Sequence, residues 1–485
     1  MQAIIVRSAA ELYGRASRRA GLHAPGEKIA MKRDDHGRTR DNASRGTSRT
    51  VESILDKGRR SFLQVALAHG VAAPIALTTL GSAEAATPAG SLPASPQSGR
   101  AGEVGPAGPT ASAANRSGVI IRDFADPYLE LLRLLRDAAE IEHALMLQYL
   151  YAAFSIKPQY QSLIGFGAPS AKDLLGVAVQ EMHHLRAVNH LLVALGSAPH
   201  LARHDFPYEP DIYPFPFHLE PLSRVTAAKY VYAEGTAAIF AANSQRSRED
   251  EQFRRGVLKD IGGLDRPNHV GSLYRNVLDL LSECSARPGF PLTPAETEQW
   301  QSDLKAIVAE GEHDHFGFFR LVYEGRHPAF AKAGVENVWD LAPGHKAYPS
   351  LPLPRNPTAF VGHPNQITSE PAHGLAWLSN LHYWLTLCCL DHGYRYGDPK
   401  VTGVTTSQMM GALLPLATEL PKHGAGAPFD TLSMGYAVGI NKEHSRRIIL
   451  ALAGEARTFA KVIEAQLPAR YDLKNTNAIF ELLEG

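Results

Sequence analysis

From Asp126 onward the chain repeats one pattern: apolar residues at helical spacing, interrupted at a few positions by groups that do not belong in a core. The first stripe runs Leu131, Leu135, Ala138, Leu145, Tyr149 and Ala152. It predicts a helix with Pro127 at its first position and Asp126 as its cap. Glu142 falls inside that stripe. A second stripe runs Leu174, Val177, Ala178, Leu185, Val188, Leu191 and Leu195, and takes in Glu181 and His184. A third runs Leu304, Val308, Phe319 and Val322, and takes in Glu312 and His315. A lone carboxylate on such a face costs several kcal/mol unless it is paired or bound to a cation.

Glu181 and His184 form Glu-x-x-His, as do Glu312 and His315, and the i, i+3 spacing sets each pair on one turn of one helix. Glu310 and His313 have the same spacing, but their register aligns with Asp303, Ala306 and Gly317, a poor core. The same test prefers Glu142 over Glu140, less sharply, because His143 also borders an acceptable face. One such motif is as readily a solvated surface pair. Two on apolar stripes, with a third carboxylate on another stripe, point to a metal held between the helices of a four-helix bundle. Carboxylate oxygens and neutral imidazoles suit iron, one or two per chain, or manganese. Tyr149 follows Glu142 by two turns on the same stripe, placed as a core residue or as a hydrogen-bond or electron donor.

Proline-rich connections at 201–223 and 328–371 separate these helices from further helical patterns at 373–393, 405–421 and 441–466. The aromatic cluster Trp377, Tyr383 and Trp384 reads as core packing. The fold class is therefore all-α, with a bundle over 121–327, a connection over 328–371 and a smaller helical region over 372–485. No Gly-rich phosphate loop or nucleophile elbow accompanies them.

The front of the chain reads as an address. Residues 59–63 are Arg-Arg-Ser-Phe-Leu, a moderately apolar run reaches residue 80, and Ala83-Glu84-Ala85 is a small-residue cleavage site. Gln64, His69, Gly70 and Pro74 break the apolar run, so it is no membrane anchor. Arg59 and Arg60 before Phe-Leu resemble a twin-arginine signal, which implies the twin-arginine translocation machinery as a partner and a periplasmic or extracellular destination. The predicted organisation is a basic extension over 1–55, with Met31 as an alternative start, a signal over 56–85 and an Ala/Gly/Pro/Ser linker over 86–120.

Composition narrows the function less. With 49 basic and 49 acidic residues the formal charge is zero, which argues against nucleic acid or an anionic membrane as the main partner. Cys284, Cys388 and Cys389 lack zinc-type spacing and are expected as buried free thiols.

Two segments carry a family resemblance: Glu142-His-Ala-Leu-Met-Leu-Gln-Tyr-Leu-Tyr and Val-Gln-Glu181-Met-His-His184-Leu-Arg-Ala-Val-Asn-His. They resemble the ferritin-like domain of iminophenyl-pyruvate dimer synthases, which dimerise an oxidised amino acid on routes to violacein and rebeccamycin-type bisindoles. The likeness extends to residues 218–222, Ala-Glu234-Gly, 271–274, 376–383 and 409–416. The resemblance implies a ferritin-like bundle followed by the C-terminal helical region. It also implies a glutamate on the third bundle helix, where Ser272 stands here. Either one metal is lost, another residue substitutes, or the site is degenerate. His269, one turn earlier, and Glu234 are the candidate substitutes.

The expected function is a non-haem, di-iron-type oxidoreductase or oxidative synthase acting on a small organic molecule, in a monomer or homo-oligomer. The rival is an exported binding or structural protein with a degenerate metal site. Iron storage suits a long, decorated chain poorly.

Overall fold

The computed structural model describes residues 122–484 apart from 167–168, 204–214, 241–243, 264–269 and 432–440. Arg59, Arg60, Ala83, Ala85 and His269 lie outside the described residues, as do the whole predicted signal and its linker. Helix α1 (Pro127–Ser155) begins as the sequence predicts. The Asp126 carboxylate accepts from the backbone N–H of Tyr128 and Leu129, and Pro127 fills the first position, where no N–H is needed. Its apolar stripe is fully buried, because α2 (Leu174–Ala194) and α5 (Val270–Ser285) both pack along it. Asp173 caps α2 by accepting from the N–H of Gly176 at 2.8 Å.

Helix α3 (Arg224–Ala233) is capped by Ser223 and ends at Glu234. The amphipathic α4 (Arg248–Asp260) buries Phe253 and Val257. Helix α6 (Pro294–Ala309) opens on a reciprocal Thr293–Glu296 capping box. It runs directly into a π-helical turn, Glu310–His315, and then into α7 (Phe316–Tyr323). Helix α3 packs on α7, and α5 packs on α6. One side of the bundle is thus supplied by two segments, α3 and α5, and Glu234 at the end of one and Gly271 at the start of the other border the same cavity.

In the C-terminal region α8 (Ala372–Tyr396) is buried over almost its whole length, surrounded by α9 (Pro399–Gln408), α10 (Lys442–Val462) and α2. Helix α11 (Lys474–Glu484) packs on α9 and α10. The pattern predicted over 405–421 is helical but not uniform: α9 gives way to a π-helical stretch, Met409–Leu413, before Leu414–Glu419 resumes. Pro415 explains the widening, since it has no N–H to bond back to Gly411. Trp377 and Trp384 pack edge to face at 5.5 Å inside this core. All three cysteines are buried and unpaired. Among the described residues there is no strand beyond isolated bridges, and no helix is long and apolar enough to cross a membrane.

The two proline-rich connections clasp the end of α1. The N–H of Leu351 donates to the carbonyl of Ser155 at 2.8 Å and the N–H of Lys157 to that of Pro349 at 2.9 Å. Leu219 donates its N–H to the Asn356 side chain at 2.7 Å, joining one connection to the other.

Candidate metal centre

Four parts of the bundle deliver acidic and imidazole side chains to one buried point. Helix α1 supplies Glu142, α2 supplies Glu181 and His184, the end of α3 supplies Glu234, and the end of the π turn supplies His315; all five are buried. Ligand atoms of Glu142, Glu181 and His184 lie within 4.8 Å of one another, and so do those of Glu181, Glu234 and His315. Glu181 belongs to both groups. Its Oε2 is 2.8 Å from His184 Nδ1, and its Oε1 is 2.9 Å from His315 Nδ1. Glu142 Oε2 completes the first group at 3.5 Å from His184 Nδ1, and Glu234 Oε1 the second at 3.6 Å from His315 Nδ1.

The outward atoms of these side chains are held as well. His184 Nε2 lies 3.1 Å from Glu310 Oε2, and His315 Nε2 lies 3.1 Å from Gln180 Oε1. With Nε2–H donating outward, each imidazole would present the lone pair of Nδ1 to the cluster once the proton on that nitrogen is displaced, the arrangement that orients imidazole ligands in metal proteins. Two tyrosines hold the outer carboxylates: Tyr274 donates its hydroxyl to Glu142 Oε1 and Tyr149 donates to Glu234 Oε1, each at 2.5 Å.

Burial and like charge make the cluster uncomfortable as it stands. Burial, with Glu181 nearby, pushes the Glu142 carboxyl up to about 7 despite the opposing effect of His184. Burial works against the charge on Glu181 too, but His315 and His184 outweigh it and hold its carboxyl below the usual range. Burial likewise disfavours a charged His315, yet Glu181 and Glu234 raise that imidazole to about 10. His184 is raised well above its usual value by Glu181, Glu142 and Glu310, which overcome its burial.

Glu181 Oε1 and His315 Nδ1 are buried without a hydrogen-bond partner. Buried polar atoms are rarely left so, and a cation is one way to satisfy both. Three carboxylates and two imidazoles form a donor set that can hold a metal, in two groups that share Glu181.

Of the residues predicted from sequence, Glu142, Glu181, His184, His315 and Glu234 come together. Glu140 turns away and pairs with His200 at 2.6 Å. Glu312 borders the same cavity but is not among the grouped ligand atoms, and its Oε1 meets Arg275 Nη1 at 3.1 Å. The helical-face argument assumed α-helical geometry, whereas the chain is π-helical from Glu310 to His315. The i→i+5 bonding widens the turn, so residues three apart no longer share a face. The widening also explains why Glu310, set aside on register, reaches His184.

Ser272 is buried within the first turn of α5. Glu234, at the end of α3, is the candidate substitute whose ligand atoms group with those of Glu181 and His315. The signal was present as Ala227, Tyr230, Val231 and Glu234, a short buried stripe at helical spacing. Gln180, Tyr274 and Glu310 were missed, because nothing in the spacing of a polar residue says what it will meet across a bundle.

Residues 135–316 match the family model described as Ferritin-like, so the chain carries a domain of that kind, and every residue of the cluster lies within it. The chain is similar to a dichlorochromopyrrolate synthase of Lentzea aerocolonigenes, 26% identical over 358 residues, covering 62% of this chain and 34% of the relative. It is also similar to a 2-imino-3-(indol-3-yl)propanoate dimerase of Chromobacterium violaceum, 27% identical over 260 residues, covering 47% of this chain and 25% of the relative. The chain thus spans about a third or less of the length of these relatives. No solved structure matches it at a significant level.

Proposed function

For a chain that carries a Ferritin-like domain, we propose a dinuclear non-haem metal protein, with iron as the metal, that acts as an oxidoreductase or oxidative synthase on a small carboxylate-bearing organic molecule. The observation that carries this reading is Glu181, whose two oxygens face two imidazoles while one oxygen and one imidazole nitrogen stay buried without a hydrogen bond.

In this reading Glu142, Glu181 and His184 would hold one ion, and Glu181, Glu234 and His315 would hold a second. Bound there, iron supplies Lewis acidity and the oxygen chemistry that side chains lack. The protein's part is positional. Glu310 and Gln180 fix the imidazole tautomers, Tyr149 and Tyr274 hold the outer carboxylates, and the surrounding core keeps bulk water from the cluster. The relatives support the substrate class by name only: one is a dimerase of an aromatic 2-imino acid. An exported protein meets other substrates, and residues 59–85 lead us to place this one in the periplasm or outside the cell.

Glu312 favours a second reading, an exported binding or structural protein whose metal site is degenerate, because it pairs with Arg275 outside the grouped ligand atoms. Elemental analysis of protein loaded anaerobically with iron(II), beside a Glu181→Ala/His184→Ala variant, separates the two. Two irons per chain, lost in the variant and reacting with dioxygen or peroxide, support the enzyme. No retained metal, or iron that stays inert to both oxidants, leaves the scaffold. Export is tested by fractionating cells that express the full chain beside an Arg59→Lys/Arg60→Lys variant. Retention of the variant alone supports the twin-arginine route.

A further inference from the structure

The cavity beside the cluster has a lining of two kinds. Four glutamates and His184 are its acidic and imidazole part, and Leu145, Ala233, Val270, Ile307 and Val308 are its apolar part. Leu145, Ala233 and Ile307 are buried, whereas Val270 at the start of α5 and Val308 near the end of α6 are partly exposed. The mouth of the cavity therefore lies between α5 and α6, which pack against each other. Two properties decide what can pass it. The first is size: the cavity offers about 20 Å³ to water-sized molecules. That is room for one or two of them, whereas a benzene ring takes roughly 150 Å³. The second is chemistry. Among the described lining residues there is no lysine, arginine, serine, threonine, asparagine or glutamine, and the Tyr274 hydroxyl already donates to Glu142 Oε1. A carboxylate or 2-oxo group inside would keep oxygens without donors, which is costly. Dioxygen needs no donor, and peroxide brings its own O–H groups to the carboxylates.

We propose that this cavity is a filter: it admits a neutral oxidant of two heavy atoms, dioxygen or peroxide, past Val270 and Val308 to the cluster, and it bars the organic molecule, which stays outside the mouth. Val270 and Val308 then set what reaches the site, although neither is a ligand. The filter rests on the dinuclear reading above and narrows it, because only the oxidant shares the cavity with the ligand atoms.

The test loads the full chain anaerobically with iron(II). Nitric oxide is the neutral diatomic probe, followed by stopped-flow absorbance. Phenylpyruvate is the organic probe, followed by the charge-transfer band that a 2-oxo acid gives when it chelates iron(II). The unaltered protein takes up nitric oxide and gives no band with excess phenylpyruvate. Val308→Trp slows nitric oxide uptake by about tenfold or more, and Val308→Ala speeds it by about two- to fivefold, with iron content unchanged in both. Val270→Trp and Val270→Ala behave in the same way. Opposite changes from one position are a result that damage to the fold does not produce. The filter is overturned, and the dinuclear site stands, if the iron-loaded protein shows the phenylpyruvate band, takes up no nitric oxide, or takes it up at one rate in every variant. If the unaltered protein retains no iron, both fail.

Discussion

Glu181 Oε1 lies 2.9 Å from His315 Nδ1, both atoms are buried, and neither makes a hydrogen bond. A buried carboxylate and imidazole this close form an ion pair in the metal-free protein, and a cation that displaces the imidazole proton would satisfy both atoms. Binding to the folded state alone stabilises it by mass action, about 2.7 kcal/mol at a ligand concentration one hundred times the dissociation constant. Manganese(II) is therefore expected to raise the thermal midpoint of the protein in a concentration-dependent way. The Glu181→Ala/His184→Ala variant is expected to show no such rise, and an equal rise in both proteins would assign the ion to some other site.

The hydroxyls of Tyr149 and Tyr274 each end on a buried carboxylate oxygen. Tyr149→Phe and Tyr274→Phe keep the ring and its packing but remove that donor. Each is expected to destabilise the metal-free protein by about 1.5–3 kcal/mol, the range for hydrogen bonds to charged groups. Urea unfolding measures it. A loss below a few tenths of a kcal/mol would mean that water replaces the hydroxyl and that the carboxylates are not held from this side.

Gly311 lies where the π turn approaches Glu234, and a Cβ built on it would sit 3.1 Å from Glu234 Oε2. Gly311→Ala is expected to displace that carboxylate and weaken manganese binding by about tenfold, the effect of losing one charge-assisted contact. Gly317, two turns on and with nothing within 4 Å of its Cβ position, is the control. Gly317→Ala is expected to leave metal binding alone and to stabilise the helix by about 1 kcal/mol. Equal metal affinity in the two variants would count against Glu234 as a ligand.

His382, far along the chain in α8, predicts a dependence on pH that owes nothing to metal. It is fully buried, with Nδ1 2.7 Å from the Gln408 side-chain amide and Nε2 2.8 Å from the Tyr471 hydroxyl. Burial pushes its imidazole down to about 3. The unfolded chain takes up a proton near pH 6.5 that the folded protein refuses. Stability from this residue is therefore complete above pH 6.5 and falls by roughly 1.4 kcal/mol per pH unit toward pH 3. Urea midpoints between pH 7 and pH 4 are expected to fall less steeply in His382→Asn than in the unaltered protein. Parallel slopes would show that other groups set the acid limit.

Much of the bundle was legible along the chain. The stripe of α1 and the cap and proline that begin it are local features, and a helix shows its buried face through its own period. Glu142, Glu181, His184 and His315 stood out because polar groups on an apolar stripe violate the pattern that packing imposes. The C-terminal helices predicted over 373–393 and 441–466 were visible for the same reason, whereas α9 begins six residues before the predicted 405 and α11 was not foreseen. What stayed hidden were the partners, such as Gln180 for His315 and Glu310 for His184, since a contact across 126 residues leaves no mark in either segment alone.

Two features of the cluster belong to tertiary structure. The choice of Glu234 over a residue near Ser272 depends on how α3 and α5, separated by an excursion through α4, bring their ends to one cavity. The place of Glu312 on the cavity wall, apart from the grouped ligand atoms, goes with a π-helical turn and with Arg275, a partner 37 residues earlier. The sequence by itself determined which helices form and which polar side chains must find company inside, because helical period and the cost of burying charge are properties of a short segment. Only the tertiary structure decided which of those side chains meet, because that depends on the register and winding of helices packed against one another.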